Sequence, residues 1–143
     1  MAVNKIDLFV FEIIDRARKA RTKELKLQIL KENDIWAVKD VLGGIYSDKI
    51  TWNLPEGAPP YRASEEHNAP SNLKRRNTDF RNFFKGGPGD KLPRHKREGL
   101  FIGLLEAIHP EDAKLVVKMI NKEKIEGLTK NVVMEAFPTL PIE

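Results

Sequence analysis

The residues from Pro110 onward show a helical period, and this feature most constrains how the chain can fold. Pro110 suits the first position of a helix, and Glu111 and Asp112 favour its positive end. Apolar residues then recur at the i, i+3, i+4, i+7 spacing of a buried stripe: Ala113, Val116, Val117 and Ile120. Lysines share another face, at positions 114, 118 and 122. The pattern therefore predicts an amphipathic helix.

A second short helix is predicted directly after this one. Gly127 interrupts the period, Thr129 is placed to cap a new helix, and Pro138 stops that helix after Phe137. The amides at the start of such a helix, beside Lys130 and Asn131, can hold an anion such as a phosphate. The alternative interpretation is plain packing of two helices with a solvated lysine face.

The same period recurs through most of the chain and predicts an all-α fold of about seven helices. The other predicted helices are residues 4–19, a helix capped by Thr22, a helix from Asn33 or Asp34 through Gly43-Gly44, residues 71–84, and residues 92–108. The apolar second half of 92–108, which includes Leu100, is the candidate for the central helix. Residues 1–143 are expected to form one compact domain.

Residues 47–70 differ from the rest because they are rich in proline and have little periodicity. We expect an ordered loop or insertion here, since Trp52, Leu54 and Tyr61 can dock it on the helices. Connections of this length without secondary structure are often functional. Disorder of the segment is the competing interpretation.

Positive charge is concentrated in one segment. The whole chain carries a net charge of +4, whereas residues 74–97 hold nine Lys/Arg against two Asp/Glu, which gives +7. Cations at the start of the 92–108 helix oppose its dipole, so local stability does not account for them. A concentrated basic patch predicts a polyanionic partner. The candidate DNA-binding residues of this segment are Lys74, Arg75, Arg76, Arg81, Lys85, Arg94, Lys96 and Arg97.

No arrangement of residues in the sequence points to catalysis, a metal, a cofactor or a small-molecule substrate. The chain has no cysteine, and its three histidines, at 67, 95 and 109, lack metal-ligand spacing. The Gly86–Gly89 run lacks the Gly-Lys-Ser/Thr ending of a phosphate loop. The apolar N-terminal run is broken by acidic residues, which argues against a membrane span. We expect a protein that is not an enzyme.

Two functions remain open on these residues. A helical domain with clustered Lys/Arg can contact the phosphate backbone of duplex DNA without reading its bases. Alternatively, the domain is a protein-interaction module that presents Trp52 and Tyr61 of the proline-rich segment as interface anchors. The partners would then be virion components or replication and transcription proteins of a phage or its host.

The segment EDAKLVVKMINKEKIEGLTKNVVMEAF, residues 111–137, resembles the end of the N-terminal DNA-binding domain of ATP-dependent DNA ligases, most closely those of T-even-type bacteriophages. The resemblance covers residues 3–46 and 98–142 and includes the closing Phe137-Pro138-Thr139-Leu140. It implies an all-α domain that grips the minor-groove face of nicked duplex DNA through phosphates. The turn that contacts the backbone would be made by Gly127, Leu128, Thr129, Lys130 and Asn131.

The chain departs from that family in two ways. The segments 47–70 and 74–97 have no obvious counterpart, and no Lys-x-Asp-Gly adenylation motif occurs anywhere. The resemblance therefore implies a stand-alone, non-catalytic relative of the binding domain, a small myovirus protein. It would act in the cytoplasm of the infected bacterium, with packaging in the virion as the alternative.

Overall fold

The computed structural model describes residues 8–138, which form seven α-helices and contain no β-strand. The helices are α1 Val10–Lys19, α2 Lys23–Glu32, α3 Trp36–Tyr46, α4 Leu73–Arg76, α5 Arg94–Ala107, α6 Pro110–Ile120 and α7 Lys130–Ala136. Two 3₁₀ segments, Asn77–Asn82 and Pro88–Lys91, lie between α4 and α5. The predicted all-α class is confirmed. The predicted helix start at Asn4 and the Thr139-Leu140 ending lie outside the described residues.

Helix α3 lies at the centre of the core, where it packs against α1, α4 and α6. Eight of its eleven residues are buried. The helix continues through Gly43-Gly44 to Tyr46, and a Cβ on Gly44 would lie 2.7 Å from the Trp52 ring and 2.8 Å from Met119. The glycine pair therefore does not end the helix, and the close approach at Gly44 is made by side chains and not by a neighbouring backbone. The expectation that residues 92–108 supply the central helix was wrong, since Leu100 is 48% exposed.

Side-chain caps fix where several helices begin. The Thr22 hydroxyl accepts from the Leu25 amide at 3.1 Å, and the Thr129 hydroxyl accepts from Val132 at 3.2 Å, so both predicted caps are confirmed. His109 caps α6 by accepting the Glu111 amide on Nδ1 at 3.0 Å. Helix α1 takes its cap from another helix, because the Phe11 amide donates to the Asp112 carboxylate of α6 at 2.8 Å.

The predicted 71–84 α-helix is wrong in its second half. After one α-helical turn the chain tightens into the 3₁₀ segment Asn77–Asn82. This geometry has three residues per turn, and the buried side chains accordingly fall at every third position, Asn77, Phe80 and Phe83. Phe83 takes the core position that an α-helical period gives to Phe84. The Asn77 amide donates to Asp40 of α3 at 2.7 Å, which fixes the segment against the core.

The proline-rich segment 47–70 contains no helix and docks on the helices at several points. The Trp52 indole is 9% exposed and donates to the Gly44 carbonyl at 3.1 Å. Next to it, the Asn53 amide donates to the Phe83 carbonyl at 2.6 Å. Further along, the Ser64 hydroxyl donates to the Ile108 carbonyl at 2.5 Å. These contacts hold the segment across the ends of α3, α5 and the 3₁₀ segment.

None of the helices within residues 8–138 has the length and apolar character needed to cross a membrane.

Candidate nucleic-acid interface

The change from α-helix to 3₁₀ helix after Arg76 brings two of the predicted DNA-binding arginines to similar directions. Arg75, Thr78 and Arg81 are spaced by three residues and are all exposed, and we call them the arginine row. The Arg81 Nε donates to the Thr78 carbonyl at 3.0 Å, which orders its side chain along the row. Arg75 is the third residue of α4, and Arg81 lies in the 3₁₀ segment. In a continuous α-helix their side chains would point about 120° apart, whereas the tighter winding after Asn77 reduces this angle to about 40°. The two residues begin about 11 Å apart along the axis.

Other predicted DNA-binding residues lie beside the arginine row, and some of them are ion-paired or partly buried. Arg76 pairs with Asp79 through Nε at 2.7 Å, and Lys74 is half-buried. Lys85 is exposed, and its backbone amide donates to the Thr51 carbonyl at 2.8 Å. The glycine turn that follows is organised by Asp90. Its carboxylate accepts from the Gly86 amide at 2.7 Å, and this hydrogen bond is the main reason that the pKa of Asp90 is lowered.

The three cations Arg94, Lys96 and Arg97 at the start of α5 have different surroundings. Arg94 pairs with Glu98 at 2.6 Å, and Lys96 is exposed. Arg97 is only 8% exposed, and its guanidinium donates to the carbonyls of Asn53, Gly89 and Leu92 at 2.9, 3.4 and 3.1 Å. Its assignment as a DNA-contacting residue was therefore wrong. The guanidinium satisfies the backbone where the proline-rich segment, the glycine turn and α5 meet.

The predicted turn before α7 is held rigidly against the first two helices. Gly127 has a φ of 92°, and a Cβ there would lie 2.4 Å from the Arg18 carbonyl oxygen. The ammonium group of Lys26 donates to the Gly127 carbonyl, and Leu128 is buried. Because the backbone is anchored in this way, the exposed residues of the turn keep fixed positions. These are Gly127, Thr129 and Asn131, with Lys130 half-buried and paired with Asp48 at 3.1 Å.

Sequence reasoning missed two lysines that lie beside this turn. Lys122, Lys124 and Lys130 line one shallow depression with Asp48. The Lys122 ammonium donates to the Ser47 carbonyl at 2.6 Å, and burial lowers its pKa. Helix α6 ends at Ile120 and Lys122 has a φ of 54°, so Lys122 leaves the predicted stripe with Lys114 and Lys118. We call Lys122, Lys124, Thr129, Lys130 and Asn131 the turn surface.

The arginine-row side of the molecule and the turn surface meet through one short backbone segment. Lys122 contacts the carbonyl of Ser47, and Lys85 donates its amide to the carbonyl of Thr51. Four residues of extended chain span at most about 14 Å. This length corresponds to about four base pairs of duplex at 3.4 Å each. The Lys85 backbone and the Lys122 ammonium are thus held at the two ends of one short segment.

Trp52 and Tyr61 dock the proline-rich segment on the core, as one of the two interpretations of these residues predicts. Trp52 is buried, so its role as an exposed interface anchor in the protein-interaction alternative was wrong. Tyr61, the second residue of that alternative, is partly buried and packs on the core. Trp36, at the start of α3, is 68% exposed. Periodicity cannot separate these cases, because exposure of a single tryptophan depends on which elements pack around it.

No group of three side chains suited to holding a metal ion occurs among the described residues. His67 and His95 are exposed, and His109 is buried as the cap of α6.

The fold and this surface define a class of protein, namely an all-α domain with basic residues gathered on neighbouring elements and a docked proline-rich segment. The chain belongs to DUF6433, a family of unknown function whose model matches residues 13–126. The match includes the arginine row and all of α5, and it ends just before the turn at Gly127. No curated protein and no solved structure matches the chain.

Proposed function

We propose that this protein binds duplex DNA through the phosphate backbone, with little sequence preference and without catalysis. On the resemblance to the binding domain of T-even-type phage ligases, we further propose a small phage protein that acts in the cytoplasm of the infected bacterium. The arginine row supplies the main contacts, with Lys85 and Lys96 beside it and the turn surface as the second contact region.

The observation that carries the proposal is the alignment of Arg75 and Arg81. Both are exposed, and neither forms an ion pair with any residue in the range 8–138. A guanidinium presents a planar fork of donors that matches phosphate oxygens, and Thr78 between them adds a hydroxyl. Phosphate contacts carry no sequence information, which is why little sequence preference is expected.

The turn surface supports the same function at a second place. Thr129 and Asn131 are exposed on a backbone held by Lys26 and Gly127, so they can dock a phosphate at little entropic cost. Lys124 contributes an exposed positive charge beside them. Lys130 would have to exchange Asp48 for a phosphate, and the surface location of that ion pair makes the exchange inexpensive.

The protein-interaction alternative has less support, because it depended on two exposed aromatic anchors. Trp52 is used to fix the proline-rich segment to α3, and Tyr61 is partly covered. What remains for that alternative is the segment itself, which carries no other aromatic residue.

The test compares charge removal on the arginine row with equal charge removal elsewhere. Arg75→Ala with Arg81→Ala is the test variant, and Lys114→Ala with Lys118→Ala on α6 is the matched control, since all four side chains are exposed. Binding to a fluorescent duplex of about 20 base pairs is measured by anisotropy at about 50 mM salt, where phosphate contacts are strong. The test variant should bind at least about tenfold more weakly, and the control within about twofold of the wild type.

Two outcomes would contradict the proposal. Absence of wild-type binding at low salt to duplex, nicked and single-stranded DNA would remove the function altogether. Equal weakening by both double variants would show that net charge alone attracts the DNA and that the arginine row makes no defined contact.

A further inference from the structure

Trp36 is an exposed aromatic side chain whose ring is held in place by a neighbouring ion pair. Its indole is 68% exposed, and the Lys39 ammonium lies 4.1 Å from the ring centroid. Lys39 is itself held by Asp34 at 2.6 Å, and its side chain is only 14% exposed. The chain of carboxylate, ammonium and ring fixes the orientation of the indole. A single ammonium covers one face of an indole, so the opposite face stays open to a planar partner.

The indole lies next to the elements that carry the arginine row. Trp36 and Asp40 are four residues apart on α3 and therefore share one face of that helix. Asp40 accepts the Asn77 amide at 2.7 Å, and Asn77 directly follows α4. Arg75 and Arg76 on α4 thus lie one helical turn and one side-chain contact away from the tryptophan.

We propose that Trp36 is a stacking platform for an unpaired base, with Arg75 and Arg81 of the arginine row holding the flanking phosphates. This inference rests on the proposed function, and it adds that the protein engages DNA that has an unpaired nucleotide, such as a single strand, a gap or an overhang. Stacking on an aromatic ring beside a basic groove is the general way in which proteins hold unpaired bases without sequence preference.

A protein partner fits this surface less well. Anchor residues of protein interfaces lie within a larger apolar area that excludes water. Among residues 8–138, the large exposed apolar side chains are Trp36, Leu25 and Leu100, and each lies on a different helix. The neighbours of Trp36 are charged. The ring has Lys39 on one face and no other large exposed apolar side chain on its helix, so it suits the flat face of a single base better than an extended apolar protein surface.

The experiment uses single substitutions in the full chain. Trp36→Ala removes the ring, Trp36→Phe keeps a smaller ring, and Leu25→Ala removes an exposed apolar side chain from α2 as the control. Each protein is titrated with a single strand of about 15 nucleotides and with the blunt duplex of the same sequence, because stacking is worth about 1–3 kcal/mol per base. Trp36→Ala should weaken single-strand binding by about 10- to 100-fold and duplex binding by less than about twofold.

A fluorescence readout separates stacking from indirect effects. The chain has two tryptophans, and Trp52 is buried, so quenching of emission by the single strand should come from Trp36. The quenching should disappear in Trp36→Ala, while Trp36→Phe should recover most of the affinity.

The outcomes distinguish this inference from the function on which it rests. If Trp36→Ala binds both DNAs like the wild type, or weakens both equally, the platform is overturned and the proposed function stands. If the wild type binds neither DNA at low salt, the proposed function is overturned, and the platform falls with it.

Discussion

Asp112 shows how one residue joins two distant parts of the chain. Its side chain is fully buried, one oxygen accepts the Phe11 amide, and the other oxygen has no hydrogen-bond partner among residues 8–138. Burial is the main cause that raises its pKa from 3.8 to about 6, with Glu12 adding to the rise, while the hydrogen bond from Phe11 and the charge of Lys74 oppose it. The residue that caps α1 is therefore also a source of pH-dependent stability.

The predicted pH dependence follows from the direction of this shift. The folded state holds the Asp112 proton more tightly than the unfolded state, so its contribution to stability is present below about pH 4 and is lost as pH rises to about 6. Asp112→Asn removes this titration. Between about pH 4 and 7, the free energy of unfolding of Asp112→Asn should rise by about 2–3 kcal/mol relative to the wild type.

Urea unfolding at several pH values measures this difference. Glu111→Gln is the control, since Glu111 lies beside Asp112 on α6 but is partly exposed and paired with Lys114 at the surface. A flat difference between Asp112→Asn and the wild type across this range would show that Asp112 titrates normally.

At the level of single elements, the 3₁₀ segment determines which side chains share a surface. Its period of three buries Asn77, Phe80 and Phe83 and leaves Thr78 and Arg81 on the exposed side, close in direction to Arg75 of the preceding α4. The same six residues as an α-helix would disperse the arginines. The local winding of the backbone is thus the cause of the arginine row.

Helix α5 contains two glycines that lower its helical stability and that no close contact requires. Gly99 and Gly103 lie in its interior, and a Cβ at either position would meet no atom within 4 Å. Alanine there should raise the free energy of unfolding by about 0.5–1 kcal/mol per site, because glycine loses more backbone entropy in a helix. Chemical denaturation of Gly99→Ala and Gly103→Ala measures the gain.

Gly44→Ala provides the contrast for this prediction. It is also a glycine in a helix, but its Cβ would lie 2.7 Å from Trp52 and 2.8 Å from Met119. Overpacking of this kind should lower the stability by about 1–3 kcal/mol. If all three alanine variants changed the free energy of unfolding in the same direction, either the close contacts described at Gly44 or the open space described at Gly99 and Gly103 would be contradicted.

Across the whole molecule, the positive charge that can meet DNA is smaller than the sequence total implies. Of the nine Lys/Arg in residues 74–97, Arg97 is buried, and Arg76 and Arg94 are paired with Asp79 and Glu98. Of the other six, Arg75, Arg81, Lys85, Lys91 and Lys96 are exposed and Lys74 is half-buried, and the turn surface adds to them. DNA binding should therefore depend on a few defined contacts. Their number can be obtained from the slope of log K against log salt.

The salt slope makes that count measurable. If about six phosphates are neutralised, log K should fall against log salt with a slope of about −5, which is about 10³-fold between 50 and 200 mM. Arg75→Ala with Arg81→Ala should make the slope shallower by about 2, on any duplex sequence. An unchanged slope in this double variant would place the contacts elsewhere on the protein.

The sequence predicted well those features that depend on local chemistry. Thr22 and Thr129 cap their helices and Pro110 begins α6, because capping and proline geometry involve only neighbouring residues. The winding of 77–82, the burial of Arg97 and the exposure of Trp36 were missed. Each of these depends on contacts with distant segments. Arg97 did carry a signal, since it shares a helical stripe with Phe101, Leu104 and Leu105.

The cap that α6 provides for α1 also determines when the chain can fold during its synthesis. The Phe11 amide and its acceptor Asp112 are 101 residues apart, as are Lys26 and the Gly127 carbonyl. A ribosome releases α1 and α2 first, and isolated helices of about ten residues are marginal in water. The contacts of these two helices with α6 and α7 therefore form only after nearly all of the described residues have been released. Until then, α1 can pack only on earlier elements such as α2 and α3.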